Sequence, residues 1–297
     1  MLLLTPSVSG LFKWRQFEPE MILLAIGWYL RFSLSYRDVE ELLAERGFLV
    51  DHVTVWRWVQ RYGPELERQL RRRLKPTNDS WRVDETYIRV KGKWVYLYRA
   101  VDSSGATIDF LLSAKRDAAA AKRFLAKSLS GENHLAPRVI NTDQHAGYPL
   151  AIARLKAEGA LEEDCQHRPV QYLNNILEQD HRAIKRRLRA SQHFRSFCGA
   201  WRTIAGYEAI HMIRKGQASY SAVDAKVGLL HHFILGLFAA TSLISHHLSR
   251  HPARLQIATQ PSTGPDISWS ERQCDSGIRP SDFQRSRIPR SSRVLRI

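Results

Sequence analysis

Cysteine is scarce in this chain: Cys165, Cys198 and Cys274 are spread over 297 residues, and none sits in a Cys-x-x-Cys pair. That argues against a disulfide framework and a cysteine-built zinc site, and it fits a reducing cytoplasm. Acidic residues are in deficit, with 29 Asp and Glu against 45 Lys and Arg and a net charge of +16. So basic a chain attracts polyanions, nucleic acid first among them, with a ribosomal or membrane surface as the other candidates. Long apolar runs are scarce as well. The opening Met-Leu-Leu-Leu-Thr-Pro lacks a basic leader before an apolar stretch and does not read as a signal peptide. Val227 to Ile244 approaches the length of a membrane span, but Gly228, His231, His232, Gly236, Thr241 and Ser242 interrupt it. A buried or partner-facing helix is expected there, and no membrane partner.

The N-terminal part is patterned as helices. Glu18 to Phe32 carries Ile22, Leu23, Ile26, Tyr29 and Leu30 at helical spacing behind Pro19. Ser35, with Asp38 three residues on, resembles a capping box for a helix that Gly47 stops. A second helix follows through Val53, Val55, Trp56, Val59 and Tyr62, and Gly63-Pro64 is expected to break it. Two short helices around a tight turn form either an ordinary helical hairpin or a helix-turn-helix, whose second helix enters the DNA major groove. In the second case His52, Thr54, Arg57 and Arg61 form the exposed polar face. Residues 12–66 make up this region, and 67–78, which include Arg68 to Lys75, read as a basic linker able to follow phosphates.

From residue 79 the pattern changes. WRVDETYIRV, KWVYLYRAVD and ATIDFLLSA are strand-like and separated by turn residues; a helix from Lys115 to Ser130 follows. RVINTD (138–143) is a short strand, Tyr148 to Glu158 a helix ended by Gly159, and RPVQYL (168–173) a last strand or extended loop. A helix from Asn174 or Asn175 to Arg189 and another over 192–216 complete an α/β domain spanning 79–216. An apolar helix is expected over 217–242. The tail, 243–297, has nine arginines, no lysine and few clustered apolar residues, and is expected to be disordered.

Three carboxylates sit where sites form. Asp84 lies in the first strand, Asp143 at the end of the fourth and Glu178 in the first turns of the next helix. Singly, each has an ordinary explanation: a surface partner, a turn former, a first-turn glutamate facing the helix dipole. Brought together they repel unless a cation sits among them, and an all-oxygen ligand set suits Mg²⁺ or Mn²⁺. Alternation puts Glu85 on the opposite strand face from Asp84, and Asp180 points away from Glu178 around the helix. His181, about one turn from Glu178, is expected to be solvated or to face DNA.

Between Asp143 and Glu178 lie 34 residues, and Lys185 follows Glu178 by two helical turns on the same face. This spacing resembles the D,D(34)E triad of insertion-sequence transposases and retroviral integrases. FEPEMILLAIGWYLR, LSYRDVEELLAERG, WRVDETYIRVKGKWVYLYRAVD, INTD, LNNILEQDHRAIKRR and TIAGYEAIHMIRKGQ together resemble the IS-six family of transposases, from about Phe12 to about Ala240. The resemblance implies an RNase H-like α/β catalytic domain, a mixed sheet flanked by helices, behind an all-α helix-turn-helix domain that recognises terminal inverted repeats. It implies Asp84, Asp143 and Glu178 as catalytic metal ligands for Mg²⁺, with Mn²⁺ able to substitute, and Lys185, Arg182 and Arg186 beside the scissile phosphate. It also implies double-stranded DNA partners (element ends and target), a homodimer or larger homo-oligomer, and a cytoplasmic, nucleoid-associated bacterial protein. Two other readings are a catalytically inactive relic that represses its element, and a nuclease of the same fold acting on RNA–DNA hybrids.

Overall fold

A computed structural model describes residues 12, 16–131, 134–170, 175–190, 194–219 and 234–238. Helix α1 (Pro19–Arg31) opens on a proline that needs no N–H partner there and carries Glu20 in its first turn. Helix α2 (Tyr36–Ala44) has the reciprocal cap expected of Ser35 and Asp38: Asp38 N donates to Ser35 Oγ at 3.2 Å, and Ser35 N to Asp38 Oδ2 at 2.7 Å. Gly47, at φ +79°, turns the chain. Helix α3 (His52–Arg71) is capped by Asp51, whose Oδ1 accepts from Thr54 N at 2.6 Å.

One expectation about α3 fails. The helix does not break at Gly63-Pro64 but runs on to Arg71. Tertiary packing explains the glycine: a Cβ at Gly63 would lie 2.9 Å from the Arg202 carbonyl oxygen on α7 (Phe197–Arg214), so Gly63 is a close-crossing point and not a stop. In the basic stretch after it, Arg71 turns inward while Arg68 and Lys75 stay exposed. Arg71 donates to Asp109 Oδ1 at 2.7 Å and to the Ile108 carbonyl at 3.1 Å, Arg68 pairs with Glu65, and Lys75 donates to the Gly216 carbonyl.

Five strands follow: β1 (Ser80–Val90), β2 (Lys93–Asp102), β3 (Thr107–Ser113), β4 (Val139–Thr142) and β5 (Gln166–Pro169). They form one sheet in the order β3-β2-β1-β4-β5, antiparallel across the first three and parallel from β1 through β4 to β5. The last strand starts two residues before the expected stretch and covers only its first two residues, ending at Pro169; 171–173 lie outside the described residues. Helices α4 (Ala118–Leu129) and α5 (Gly147–Ala157) cover one face, where Trp81, Val83, Phe124, Leu125, Tyr148 and Ile152 pack. On the other face Ile88, Val90, Val95, Leu97, Phe110 and Leu112 share a core with α1, α3 and α7. Helix α6 (Asn175–Ala190) lies across β1 and β2. This mixed sheet with helices on both faces is the RNase H-like α/β arrangement.

The N-terminal helices and one sheet face thus share a single core, with α7 between them. Of the expected C-terminal apolar helix, 234–238 is helical. Its Ile234, Leu237 and Phe238 are buried, and Phe238 packs edge-on to Phe12 and Tyr62. Residues 217–219 are not helical, Ala218 bridging to Leu74, and 220–233, 239–242 and the tail, 243–297, lie outside the described residues. No described helix is long and apolar enough to cross a membrane.

Candidate active site

Strand register brings the first two carboxylates together. In the β1–β4 parallel pair, Arg82 stands opposite Asn141. Continued by two residues, that register sets Asp143, just past the end of β4, beside Asp84. Glu85 joins them: among the described residues, Asp84, Glu85 and Asp143 each offer a carboxylate oxygen within 4.8 Å of the others. The electrostatic consequence falls on Asp84. Burial, then the charges of Glu85 and Asp143, raise its pKa to about 8. Burial and Asp143 also raise Glu85, against the pull of Arg116. A carboxylate cluster that resists ionisation is one that a divalent cation would relieve, and oxygen-only donors suit a hard ion.

Glu85 is held from the far side of the strand, where alternation puts it. Arg116 Nε and the Tyr148 hydroxyl both donate to its carboxylate. Arg116 Nη2 also donates to Asp143 Oδ2 at 2.7 Å, and His145 N donates to Asp143 Oδ1 at 3.1 Å. The involvement of Glu85 and Arg116 was missed at the sequence level. Strand alternation indicated the face of Glu85 but not how near the strand end would bring it to Asp143.

Helix α6 crosses the same place. His181 is buried, with Nδ1 3.8 Å from Asp84 Oδ2 and Nε2 without a hydrogen-bond partner. It is neither solvated nor on an exposed face, contrary to expectation. Burial, followed by the charges of Arg99 and Lys185, holds its pKa well below the usual histidine value, so the ring is neutral. Lys185 is half-buried, with Nζ 5.1 Å from the centre of the Tyr87 ring. Glu178 is exposed, one turn before His181 on the same helix, and stands outside the three-carboxylate cluster. Arg182 and Arg186 are exposed on the outer side of α6.

Asp180 turns into the core, as helix geometry requires. It accepts from Arg99 Nη2 at 3.4 Å and from Lys215, and pairs with His211 Nε2 at 3.2 Å. Arg99 in turn donates from Nε and Nη2 to the two oxygens of Glu208, at 2.7 and 3.0 Å. Those hydrogen bonds, with Arg99 and Lys215 close by, hold Asp180 well below the usual carboxylate range despite burial. This network pins α6 to β2 and α7, and with it the helix turn that carries Glu178.

On α3, Arg57 and Arg61 are exposed. Val53 and Trp56 are 41% and 43% exposed, so this face carries apolar as well as basic side chains. Thr54 contributes its N–H and hydroxyl to the Asp51 cap, and His52 Nδ1 lies 3.0 Å from Glu40 Oε2.

A protein-family model described as a DDE domain matches residues 78–217, the span that holds the whole cluster. The transposase for insertion sequence-like element IS431mec of Staphylococcus aureus is 42% identical to this chain over 204 residues, 69% of this chain and 88% of its own length. The chain belongs to the IS-six family of DDE transposases. Another relative, the transposase for insertion sequence element IS257 in transposon Tn4003 of S. aureus, is 41% identical over the same extent. Among solved structures, a simian T-cell lymphotropic virus intasome in complex with PP2A regulatory subunit B56 gamma aligns over 65% of this chain and 62% of its own, at 15% identity and a TM-score of 0.30. That superposition is too loose to bear on the fold. As a DDE transposase, the chain is a metal-dependent polynucleotidyl transferase. In this transposase, Asp84 and Asp143 are the acidic residues that the β1–β4 register brings together.

Proposed function

We propose that this transposase binds the terminal inverted repeats of its element through the exposed face of α3 and breaks and joins DNA at Asp84, Asp143 and Glu178. The observation that carries the reading is the meeting of Asp84 and Asp143 at the end of the β1–β4 pair, both part-exposed. Those two carboxylates, with Glu178 reaching in from α6, would hold Mg²⁺, or Mn²⁺ in its place. A pair of such ions would activate the attacking oxygen and stabilise the leaving one.

The protein's own groups supply position and charge. In cleavage, a water oxygen bonds to phosphorus, the 3′-oxygen leaves with the electron pair of the broken P–O bond, and the proton of the water passes to solvent. In strand transfer, the oxygen of the freed 3′-hydroxyl bonds to a target phosphorus and loses its proton to solvent, and the target's 3′-oxygen leaves with the electron pair of the broken P–O bond. Lys185, Arg182 and Arg186 lie along α6, where they would meet the phosphates flanking the break. Neutral His181 beside Asp84 adds no charge to the site. On α3, Arg57 and Arg61 would contact phosphates or base edges, with Val53 and Trp56 against thymine methyl groups; His52 and Thr54 lie at the start of the same helix. The enzyme would act as a homodimer or larger assembly, since two element ends must meet, in the bacterial cytoplasm at the nucleoid.

Strand transfer of a pre-cleaved end oligonucleotide with Mn²⁺ tests the reading. Asp84→Asn, Asp143→Asn and Glu178→Gln should each abolish product while leaving inverted-repeat binding in a mobility-shift assay intact. Full activity in any one of them would remove that residue from the site.

A further inference from the structure

Three acidic side chains converge at the end of the β1–β4 pair, and one of them is unlike the rest. Glu85 is 3% exposed at its side chain, whereas Asp84 is 21% and Asp143 22% exposed. Each oxygen of Glu85 accepts one hydrogen bond, from Arg116 and from the Tyr148 hydroxyl, as each oxygen of Asp143 does from Arg116 and His145, so burial is what sets Glu85 apart. A hard divalent ion that keeps several waters needs an open side, which Asp84 and Asp143 offer and Glu85 does not.

Arg116 is the link between the two environments. Its backbone is fixed because the next residue, Asp117, caps α4 by accepting from Ala120 N at 2.7 Å. Its guanidinium fork spans Glu85 through Nε and Asp143 through Nη2. A planar fork can satisfy two carboxylates at once in a fixed geometry, which an ammonium cannot. Asp143 keeps lone pairs free on both oxygens after accepting from Arg116 and His145, so the contact does not exclude an ion.

We infer that Arg116 is the internal counter-ion of the catalytic cluster: it bridges buried Glu85 to Asp143, holds Asp143 beside Asp84 while no cation is bound, and shares Asp143 with the ion when it arrives. Arg116 is then a positioning residue, and Glu85 is its anchor and not an ion ligand. The inference rests on the reading of Asp84 and Asp143 as ion-binding residues. Because Arg116 and the ion offset the same negative charge, removing one raises the protein's dependence on the other. An ordinary salt bridge elsewhere in the fold would show no such coupling.

The test is thermal unfolding of the full chain with and without Mn²⁺, the only added ligand, for wild type, Arg116→Ala, Arg116→Lys, Glu85→Gln and Asp143→Asn. Arg116→Ala should lower the metal-free melting temperature, and saturating Mn²⁺ should recover half or more of that deficit. Arg116→Lys should show a smaller deficit recovered in the same way, and Glu85→Gln should keep the wild-type response to Mn²⁺. A deficit that Mn²⁺ leaves unchanged or enlarges overturns the counter-ion role; a lost Mn²⁺ response in Glu85→Gln makes Glu85 a ligand and also overturns it. Should Arg116→Ala fail to fold, Arg116→Lys decides by the same criterion. Asp143→Asn separates the two levels: if it retains the full Mn²⁺ stabilisation, the ion-site reading itself falls, and the inference falls with it.

Discussion

Arg99 of β2 and Glu208 of α7 form a two-pronged ion pair with both side chains fully buried. The pair joins the catalytic sheet to the helix on which the N-terminal helices rest. Glu208→Ala leaves the guanidinium without its main partner in the core and should cost about 3–5 kcal/mol in urea unfolding. Replacing both residues by apolar side chains of similar volume should cost far less. Equal losses in the two experiments would mean that the ion pair itself, and not a stranded charge or lost packing volume, is what the fold misses.

The raised Asp84 carboxyl gives the metal-free protein an unusual pH profile. The folded group titrates at about 8, the unfolded one at roughly 4. Between those values the folded chain keeps a proton that the unfolded chain releases, so stability falls as pH rises through that window and the loss is complete above the upper value. Asp84→Asn should flatten this slope in melting curves taken across the window. A divalent ion must displace the same proton, so Mn²⁺ affinity should climb toward the upper end. Calorimetry in buffers of different ionisation enthalpy reads the proton directly, and no release at neutral pH would mean that Asp84 is already ionised.

Helix α3 crosses α7 at Gly63 and Gly206, where a Cβ on Gly206 would lie 3.2 Å from the Gly63 Cα. Gly63→Ala directs a methyl at the Arg202 carbonyl and should cost about 1–3 kcal/mol through forced separation of the helices. A neutral result by thermal or urea unfolding would show that the crossing can widen freely.

The exposed arginines of α3 should act through phosphate or base contacts. Arg57→Ala or Arg61→Ala at a phosphate contact should weaken inverted-repeat binding and reduce the slope of log K against log salt by about 1 each. A base-reading contact should instead relax sequence preference with a smaller change of slope. Unchanged binding in both variants, by titration at several salt concentrations, would move the DNA contact away from this helix.

Lys185 lies on the α6 face that also presents His181 to Asp84, and burial lowers its pKa against the opposing pull of Asp84. Lys185→Ala should reduce strand transfer while leaving Mn²⁺ stabilisation of the free protein in place. Losing both together would assign Lys185 to the integrity of the ion site instead of to DNA.

Much of the fold is carried by short-range pattern. The cap at Ser35 and Asp38, the three antiparallel strands and the helix after Asn174 all depend on neighbours within a few residues, which is why their types are readable. Gly63-Pro64 was misread because a glycine serves equally as a stop or as room for another helix, and the helix in question, α7, lies far along the chain. The exposure of Trp56 was not legible because apolar periodicity alone cannot tell a core stripe from an exposed apolar face. The burial of His181 depends on α6 lying across β1, which nothing within a few residues of it encodes.

The sequence by itself determined the catalytic lineage: Asp84 on a strand, Asp143 at a strand end and Glu178 ahead of Lys185 on a helix face, at the spacing and in the words of one transposase family. Tertiary structure decided which side chains press on those carboxylates. Parallel register set Asp143 beside Asp84, the strand end let buried Glu85 and Arg116 reach the same cluster, and the Asp180–Arg99–Glu208 network fixed α6 above it. Alternation and helical period specify the direction in which a side chain leaves the backbone. Distances between residues far apart in the chain are set by how whole elements pack, and charge interactions depend on those distances.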